Sequence, residues 1–185
     1  MNTQSTEQIH LPKARLMIKP LAITVALLAL QPSWIMAATP LATRIELALR
    51  CKADPLDAQD PATRKWLRQQ GVQFINHDPE GPPDQVFRFK SPITIAGVRI
   101  KTLYYQADSG GIFMAEFDGD ATQLAQSLRL KPHTGSNQQR REDGYGLLDA
   151  RFIDHTAGPG VMQQVVGPLT ANPKRYGWAC HFHDG

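Results

Sequence analysis

A chain of 185 residues with a formal net charge of +3 has room for one globular domain, and its composition is that of an ordinary globular protein. It contains neither an internal repeat nor a low-complexity tract. Removing residues 1–37 takes away three basic residues and one acidic residue, so the net charge of the remainder is +1. A near-neutral net charge argues against broad electrostatic binding to nucleic acid, so we expect no nucleic-acid partner.

Residues 1–37 have the charge and hydropathy order of a secretory signal peptide. Three basic residues precede the apolar run 21–30, and small residues follow it. That run is too short to span the roughly 30 Å of bilayer hydrocarbon. We therefore predict cleavage after Ala37 or Ala38, with Met17 as an alternative translation start. The expected product is periplasmic or secreted and has no stable membrane anchor after cleavage.

Only two cysteines, Cys51 and Cys180, occur in the predicted mature chain, one near each end. In an oxidising compartment such a pair is expected to form a disulfide bond. The chain-entropy model gives a loop of this length about 4–5 kcal/mol of stabilisation. A redox or catalytic thiol is the alternative, but the sequence has no CxxC pair and no convincing base beside Cys51. The bridge predicts that the first helix and the last strand are neighbours.

Three helices are predicted from capping residues and apolar stripes. Thr39-Pro40 begins the first, which continues to Lys52, and Asp60-Pro61 begins the second, which ends at Gly71. Asp120 is placed to cap a third helix, which Lys131 ends because it precedes a proline.

Short runs rich in apolar and β-branched residues predict the strands. Ser91-Pro92 is expected to break one of them, and Gly97 is expected to form a bulge within one long strand rather than a tight bend between two. In the strand that follows Gly97, side chains from Val98 to Tyr104 are expected to alternate regularly between the two faces. The predicted strands are Val72–Ile75, Gln85–Lys90, Ile93–Ala96, Val98–Gln106, Ile112–Phe117, Leu147–Ile153, Val161–Val166 (or a helical turn) and Tyr176–Phe182.

Two polar segments are predicted to be surface loops, residues 76–84 and 133–146. The second is expected to be mobile, because it has hardly any apolar side chain. Its pair Arg140-Arg141 indicates either a solvated loop or an anion-binding one.

Together these elements predict an α+β fold in a single domain, residues 38–185. We expect an antiparallel sheet of about five to seven strands, with two or three helices packed on one face.

Histidines near the C-terminus raise the question of a metal site. His181 and His183 are two residues apart in a predicted strand, so they project from one face, and His155 or His133 is a candidate third ligand. The alternative interpretation is a solvated chain end, and no cofactor is predicted. Glu116 and Asp118 form a close pair of carboxylates, but residues two apart on a strand are close by construction.

Several polar and aromatic side chains in surface segments are candidates for binding. Lys131-Pro132-His133 is similar to the short Lys-Pro-His loop of some periplasmic lysozyme inhibitors, although the two cysteines that flank that loop are missing, so we transfer no function from it. The candidate binding residues are Trp66, His77, Lys131, His133, Arg140, Arg141 and Tyr145.

The sequence favours a non-enzymatic binding or interaction module, with another envelope or secreted protein as the expected partner. It contains no recognisable catalytic constellation. Two alternatives stay open: a small metal-assisted hydrolase that uses the C-terminal histidines, and a periplasmic enzyme inhibitor or accessory of an envelope complex.

Overall fold

The computed structural model describes residues 40–76, 85–108, 110–154 and 162–183. Within these residues the chain forms four helices and eight strands. The elements are α1 (Leu41–Leu49), α2 (Pro61–Gln69), β1 (Val72–Asn76), β2 (Gln85–Ile95), β3 (Val98–Asp108), β4 (Gly110–Asp118), α3 (Ala121–Ser127), β5 (Lys131–Pro132), α4 (Asn137–Asp143), β6 (Phe152–Ile153), β7 (Gln163–Pro168) and β8 (Tyr176–His183).

All eight strands belong to one antiparallel sheet, in the order β1-β2-β3-β4-β8-β7-β6-β5. The predicted class, α+β with an antiparallel sheet, is confirmed. The sheet has more strands than the five to seven expected, and the described residues contain a fourth helix. None of the helices in the described part of the chain has both the length and the apolar character needed to cross a bilayer.

The two faces of the sheet carry separate apolar cores, because neighbouring residues of a strand point to opposite sides. On one face, Phe113 and Phe117 of β4 pack in a core that also contains Ile45 of α1, Leu67 of α2 and Leu124 of α3. On the other face, a smaller core contains residues of β4, β7 and β8 together with the segment that follows α4; it comprises Ile112, Met114, Leu148, Ala150, Ile153, Val165 and Ala179. The chain between α4 and β6 thus covers part of the second face.

The predicted disulfide bond is confirmed. Cys51, two residues beyond the end of α1, is bonded to Cys180 of β8, and their Cα atoms are 5.3 Å apart. Beside it, the side-chain amide of Gln164 donates to the carbonyl oxygen of Arg50 at 3.0 Å. The last strand is therefore joined to the chain directly after the first helix, and the two elements are neighbours as expected.

The connection between β2 and β3 differs from the prediction. Ile95 pairs directly with Val98, and the two residues between them, Ala96 and Gly97, have φ values of 48° and 81°. Positive φ at both central positions is the geometry of a two-residue hairpin turn. The predicted bulge at Gly97 is wrong, because a tight bend separates two strands there.

Ser91-Pro92 does not break β2 either. The strand runs through both residues, and its register against β3 shifts between Arg88 and Ile93. A proline is tolerated at such an irregularity because no ladder hydrogen bond is required of it.

A second irregularity changes which side chains share a face. The pairing of β3 with β4 shifts between Ile100 and Thr102. As a result Ile100 and Leu103 lie in the larger core, while Tyr104 packs against the smaller one. The uninterrupted alternation predicted from Val98 to Tyr104 is therefore wrong.

Asp60 and Asp120 cap α2 and α3 as expected, each accepting hydrogen bonds from two backbone N–H groups at the start of its helix. The end of α3 comes earlier than predicted, at Ser127. Arg129 then has φ 61°, which turns the chain into β5.

Residues 133–146 are not one loop, because α4 occupies Asn137–Asp143. Ser136 accepts a hydrogen bond from the backbone N–H of Gln139, and the Gln139 side chain accepts from the backbone N–H of Ser136, which completes a capping box. The helix buries no side chain of its own, so it lacks the apolar stripe by which helices are usually recognised. The prediction of a mobile loop is wrong for this reason.

The region 147–153 is also less regular than predicted. Only Phe152–Ile153 forms a strand, and Leu148 makes an isolated bridge with Leu169. The predicted strand at 161–166 is observed two residues later, at Gln163–Pro168.

Candidate functional site

A cavity of about 310 Å³ opens between α4 and the turn that follows β7. Three guanidinium groups and one carboxylate line it, which leaves a surplus of two positive charges. We call it the arginine pocket. Its lining residues are Asn137, Arg140, Arg141, Asp149, Arg151, Pro168, Leu169, Thr170 and Pro173.

One wall of the pocket is fixed by close backbone contact with β7. The N–H of Asp149 donates to the carbonyl oxygen of Pro168 at 2.9 Å, and the N–H of Arg151 donates to that of Val166 at 3.0 Å. Between them, a Cβ on Gly167 would lie 1.7 Å from the carbonyl oxygen of Asp149. Only glycine allows the two segments to approach so closely.

The opposite wall is α4, which is attached to the same segment. The N–H of Ala150 donates to the carbonyl oxygen of Arg140 at 3.0 Å. Gly144, directly after the helix, allows a second close approach, since a Cβ there would lie 2.0 Å from the carbonyl oxygen of Leu148. The pocket therefore has a rigid backbone frame on both sides.

Asp149 orients two of the three arginines. Its Oδ1 accepts a hydrogen bond from Nε of Arg140 at 2.7 Å, and its Oδ2 accepts one from Nε of Arg151 at 3.2 Å. Burial alone would raise the pKa of Asp149, but the hydrogen bonds and charges of the two arginines outweigh burial and lower the pKa. Asp149 is therefore ionised at neutral pH, and both of its oxygens are occupied by arginine.

The remaining donors of the pocket are available to a ligand. One Nη of Arg140 donates to Oδ1 of Asn137. Arg151 is 63% exposed, and its Nε contact leaves both Nη groups without a hydrogen bond among the described residues. Arg141 is exposed, and its side chain makes no hydrogen bond or ion pair to any described residue. Planar guanidinium groups arranged in this way match the geometry of carboxylate and phosphate groups.

His133 has a structural position next to α4. Its side chain is 7% exposed, and its Nε2 lies 2.6 Å from Oδ2 of Asp143 at the end of the helix. The backbone N–H of Gly135 donates to its Nδ1 at 2.8 Å, so the neutral ring carries its proton on Nε2. Lys131 and Pro132 are exposed on the edge strand β5. The Lys-Pro-His unit thus does not present its histidine to a partner.

The other candidate binding residues lie elsewhere. Trp66 of α2 is half-buried, and the guanidinium of Arg44 lies 4.6 Å from the centroid of its ring. Tyr145 is on the second face of the sheet, where its ring makes an edge contact with the ring of His181. His77 lies outside the described residues.

The predicted metal ligands are only partly described. His181 is 1% exposed, opposite Ile112 in β4, so it is part of the interior and not a solvated chain end. His183 belongs to β8, and His155 lies outside the described residues. In the part of the chain that is described, no three histidine, cysteine or acidic side chains gather to hold a metal ion. The three-histidine site stays a prediction.

The carboxylate pair Glu116 and Asp118 is held by one arginine. Nη2 of Arg175 lies 3.2 Å from Glu116 and 3.3 Å from Asp118. The hydroxyl of Tyr104 donates to Glu116 at 3.2 Å, and burial, followed by the charge of Glu116, raises the pKa of Tyr104. Arg175 thus bridges the two carboxylates, and Tyr104 adds a second contact to Glu116.

Comparisons of the chain with protein-family models, curated proteins and solved structures find no match.

The structure places two of the predicted binding residues, Arg140 and Arg141, in one pocket, and it adds Asp149 and Arg151. Sequence reasoning did not select the latter pair, although a signal for it was present. Their spacing of two, in a segment expected to be extended, places both side chains on one side.

Proposed function

We propose that this protein is an exported, non-enzymatic binding protein that takes up an anionic group in the arginine pocket. The observation that carries the proposal is the shared contact of Asp149 with Arg140 and Arg151, which holds two guanidinium groups side by side. The anion is an oxyanion of a ligand or a carboxylate of another envelope or secreted protein.

The electrostatics support uptake of an anion rather than a cation. Asp149 neutralises one of three arginines, and its lowered pKa keeps it charged. An anion that enters the pocket meets a local excess of positive charge and a set of charge-assisted donors. A cation would be repelled by the same groups.

The apolar part of the lining sets a second condition on the ligand. Pro168, Leu169 and Pro173 form one side of the pocket. The volume of about 310 Å³ lies at the lower end of the range for small-molecule sites. The pocket therefore suits an anionic group attached to a small organic body or side chain.

The acidic group of the pocket is arranged for binding and not for proton transfer, since both oxygens of Asp149 accept hydrogen bonds from arginine. His133 lies beside α4 and not in the lining of the pocket, and its ring nitrogens are engaged by Asp143 and Gly135. A general base needs an available lone pair directed at the substrate. The engagement of these groups supports a binding function without catalysis.

Thermal unfolding in a panel of anions tests the proposal. Phosphate, sulfate and acetate are compared with chloride at one ionic strength, because a ligand that binds only the folded state raises Tm by an amount that grows with the logarithm of its concentration above Kd. We expect a concentration-dependent rise in Tm with the divalent oxyanions that is reduced in Arg141→Gln and retained in Arg129→Gln, an exposed arginine outside the pocket. No rise above the chloride reference, or an equal rise in both variants, would contradict the proposal.

A further inference from the structure

A second basic surface lies on α1 and α2, far along the chain from the residues of the arginine pocket. Arg44 of α1 and Arg64, Lys65 and Arg68 of α2 are all exposed. Within the described residues none of the four forms an ion pair, whereas Arg50, Arg140, Arg151 and Arg175 all do. We call these four residues the basic face.

Three of the four cations are held in place by contacts that do not neutralise them. Arg44 lies over the ring of Trp66, with 4.6 Å between the guanidinium carbon and the ring centroid. The corresponding distance from Arg68 to the ring of Phe74 is 5.9 Å. Nε of Arg64 donates to the carbonyl oxygen of Ala58 at 2.6 Å. Side chains that are ordered before binding lose less entropy when a partner arrives.

The positive charge of this face is not balanced within α2. Arg64 and Arg68 are one turn apart on the helix, and like charges at that spacing destabilise it. The helix, Pro61–Gln69, contains no acidic residue, and the carboxylate of Asp60 is bonded to backbone N–H groups at its N-terminus. The concentration of positive charge therefore indicates an external anionic partner.

The shape of the surface indicates an extended partner. A groove of about 390 Å³ lies among the long side chains, but every residue that lines it belongs to α2: Pro61, Arg64, Lys65, Arg68 and Gln69. A groove formed by one convex helix has no facing wall and does not enclose a small ligand. It also lacks the large aromatic or aliphatic anchors on which protein interfaces depend.

We propose that the basic face docks reversibly on the surface of a bilayer that contains anionic phospholipids. A flat surface of headgroup phosphates meets four cations on adjacent helices at once, and each lysine or arginine close to such a surface strengthens binding about fivefold. The proposal goes beyond the anion site of the arginine pocket and does not depend on it.

Vesicle sedimentation with the full chain tests this proposal. One probe is a vesicle of phosphatidylglycerol and phosphatidylcholine in a molar ratio of about 30:70. The other is a vesicle of phosphatidylcholine alone. Residues 1–39 are the same in every variant, so their contribution cancels when partition coefficients are compared. The test variant is Arg64→Gln/Lys65→Gln/Arg68→Gln. The matched control, Lys90→Gln/Arg99→Gln/Lys101→Gln, removes the same charge from exposed positions of the β2–β3 hairpin.

We expect the test variant to lose about a hundredfold in partitioning to the anionic vesicles, and the control to stay within about threefold of the parent chain. A single variant, Lys65→Glu, keeps the test decisive if the triple variant folds poorly, because the Lys65 side chain makes no hydrogen bond or ion pair within the described residues. Its partitioning to the anionic vesicles should fall about twentyfold. Equal losses in the test and control variants would overturn the proposal. So would a test variant that partitions to the anionic vesicles as strongly as the parent chain does.

Discussion

Nε of Arg140 donates a hydrogen bond to Oδ1 of Asp149 at 2.7 Å, and this contact joins α4 to the segment that runs beside β7. Both side chains are partly buried, with 25% and 22% of their surfaces exposed. The contact is thus partly shielded from water and fixes the shape of the arginine pocket as well as its charge.

Replacement of Asp149 by Asn should lower the free energy of unfolding at pH 7 by about 2 kcal/mol, the scale of a hydrogen bond to a charged group. The substitution leaves Arg140 and Arg151 without their shared anion. Urea denaturation of the parent and variant chains at pH 7 measures the difference.

The same comparison has a defined pH dependence. Because the folded-state pKa of Asp149 is lowered, its stabilisation is present above the unfolded-state value of about 4 and is lost as the pH falls through the lower folded value. The stability gap between parent and Asp149→Asn should therefore stay constant from pH 7 to pH 5 and shrink towards pH 3. A gap that widens on acidification would contradict the assignment of the ion pair.

Gly167→Ala should destabilise the protein by about 3 kcal/mol, the upper end of the usual cost of overpacking. The added Cβ would meet the carbonyl oxygen of Asp149 at 1.7 Å, and one of the two backbones must move. Gly146→Ala is the control, since a Cβ at this position meets no atom within 4 Å. This variant should lose only the stability that an alanine forgoes at a positive φ, about 1–2 kcal/mol. Equal losses of stability in the two variants, measured by urea denaturation, would refute the close approach at Gly167.

Loss of the disulfide should lower stability by about 4 kcal/mol, because the bridge closes a loop across 129 residues. Denaturation of the parent chain with and without a reductant is compared with that of Cys51→Ala/Cys180→Ala. The reduced parent and the double variant should unfold at similar urea concentrations. An oxidised parent no more stable than the double variant would show that the bridge adds nothing to stability.

The neutral ring of His133 should carry its proton on Nε2, since its Nδ1 accepts from the N–H of Gly135 and its Nε2 faces Asp143. Long-range nitrogen–proton NMR correlations distinguish the two tautomers directly. Observation of the Nδ1–H tautomer at neutral pH would contradict the hydrogen bond from Gly135 to Nδ1. Asp143→Asn gives a further check, because its amide oxygen can still accept from Nε2 and the tautomer should be retained.

The sequence predicts some of these features well and others poorly, for identifiable reasons. Caps at Asp60 and Asp120 are local, and both predictions are confirmed. The disulfide was predictable from the even number of cysteines together with the expectation of an oxidising compartment. In contrast, the turn at Ala96-Gly97 requires a positive φ at an alanine, which no local preference suggests. The bulge near Lys101 moves the side chains that follow it to the opposite face of the sheet from the one that regular alternation predicts.

The arginine pocket likewise contains residues that the sequence indicates and residues that it does not. Arg140 and Arg141 were recognisable as a basic pair, but the residues that make them a site come from another segment. Asp149 reaches Arg140 only because Gly167 lets that segment lie against β7. Such a contact depends on tertiary packing, and periodicity along the chain does not report it.

Titration of the protein with inorganic phosphate, followed by backbone amide NMR at constant ionic strength, is the most direct test of anion binding in the arginine pocket. We expect saturable shifts centred on residues 137–141, 149–151 and 168–170. We also expect an affinity about tenfold weaker in Arg141→Gln, the cost of one charge-assisted contact, and unchanged in Arg129→Gln. Shifts that are absent, that do not saturate, or that persist with equal affinity in Arg141→Gln would contradict anion binding in this pocket.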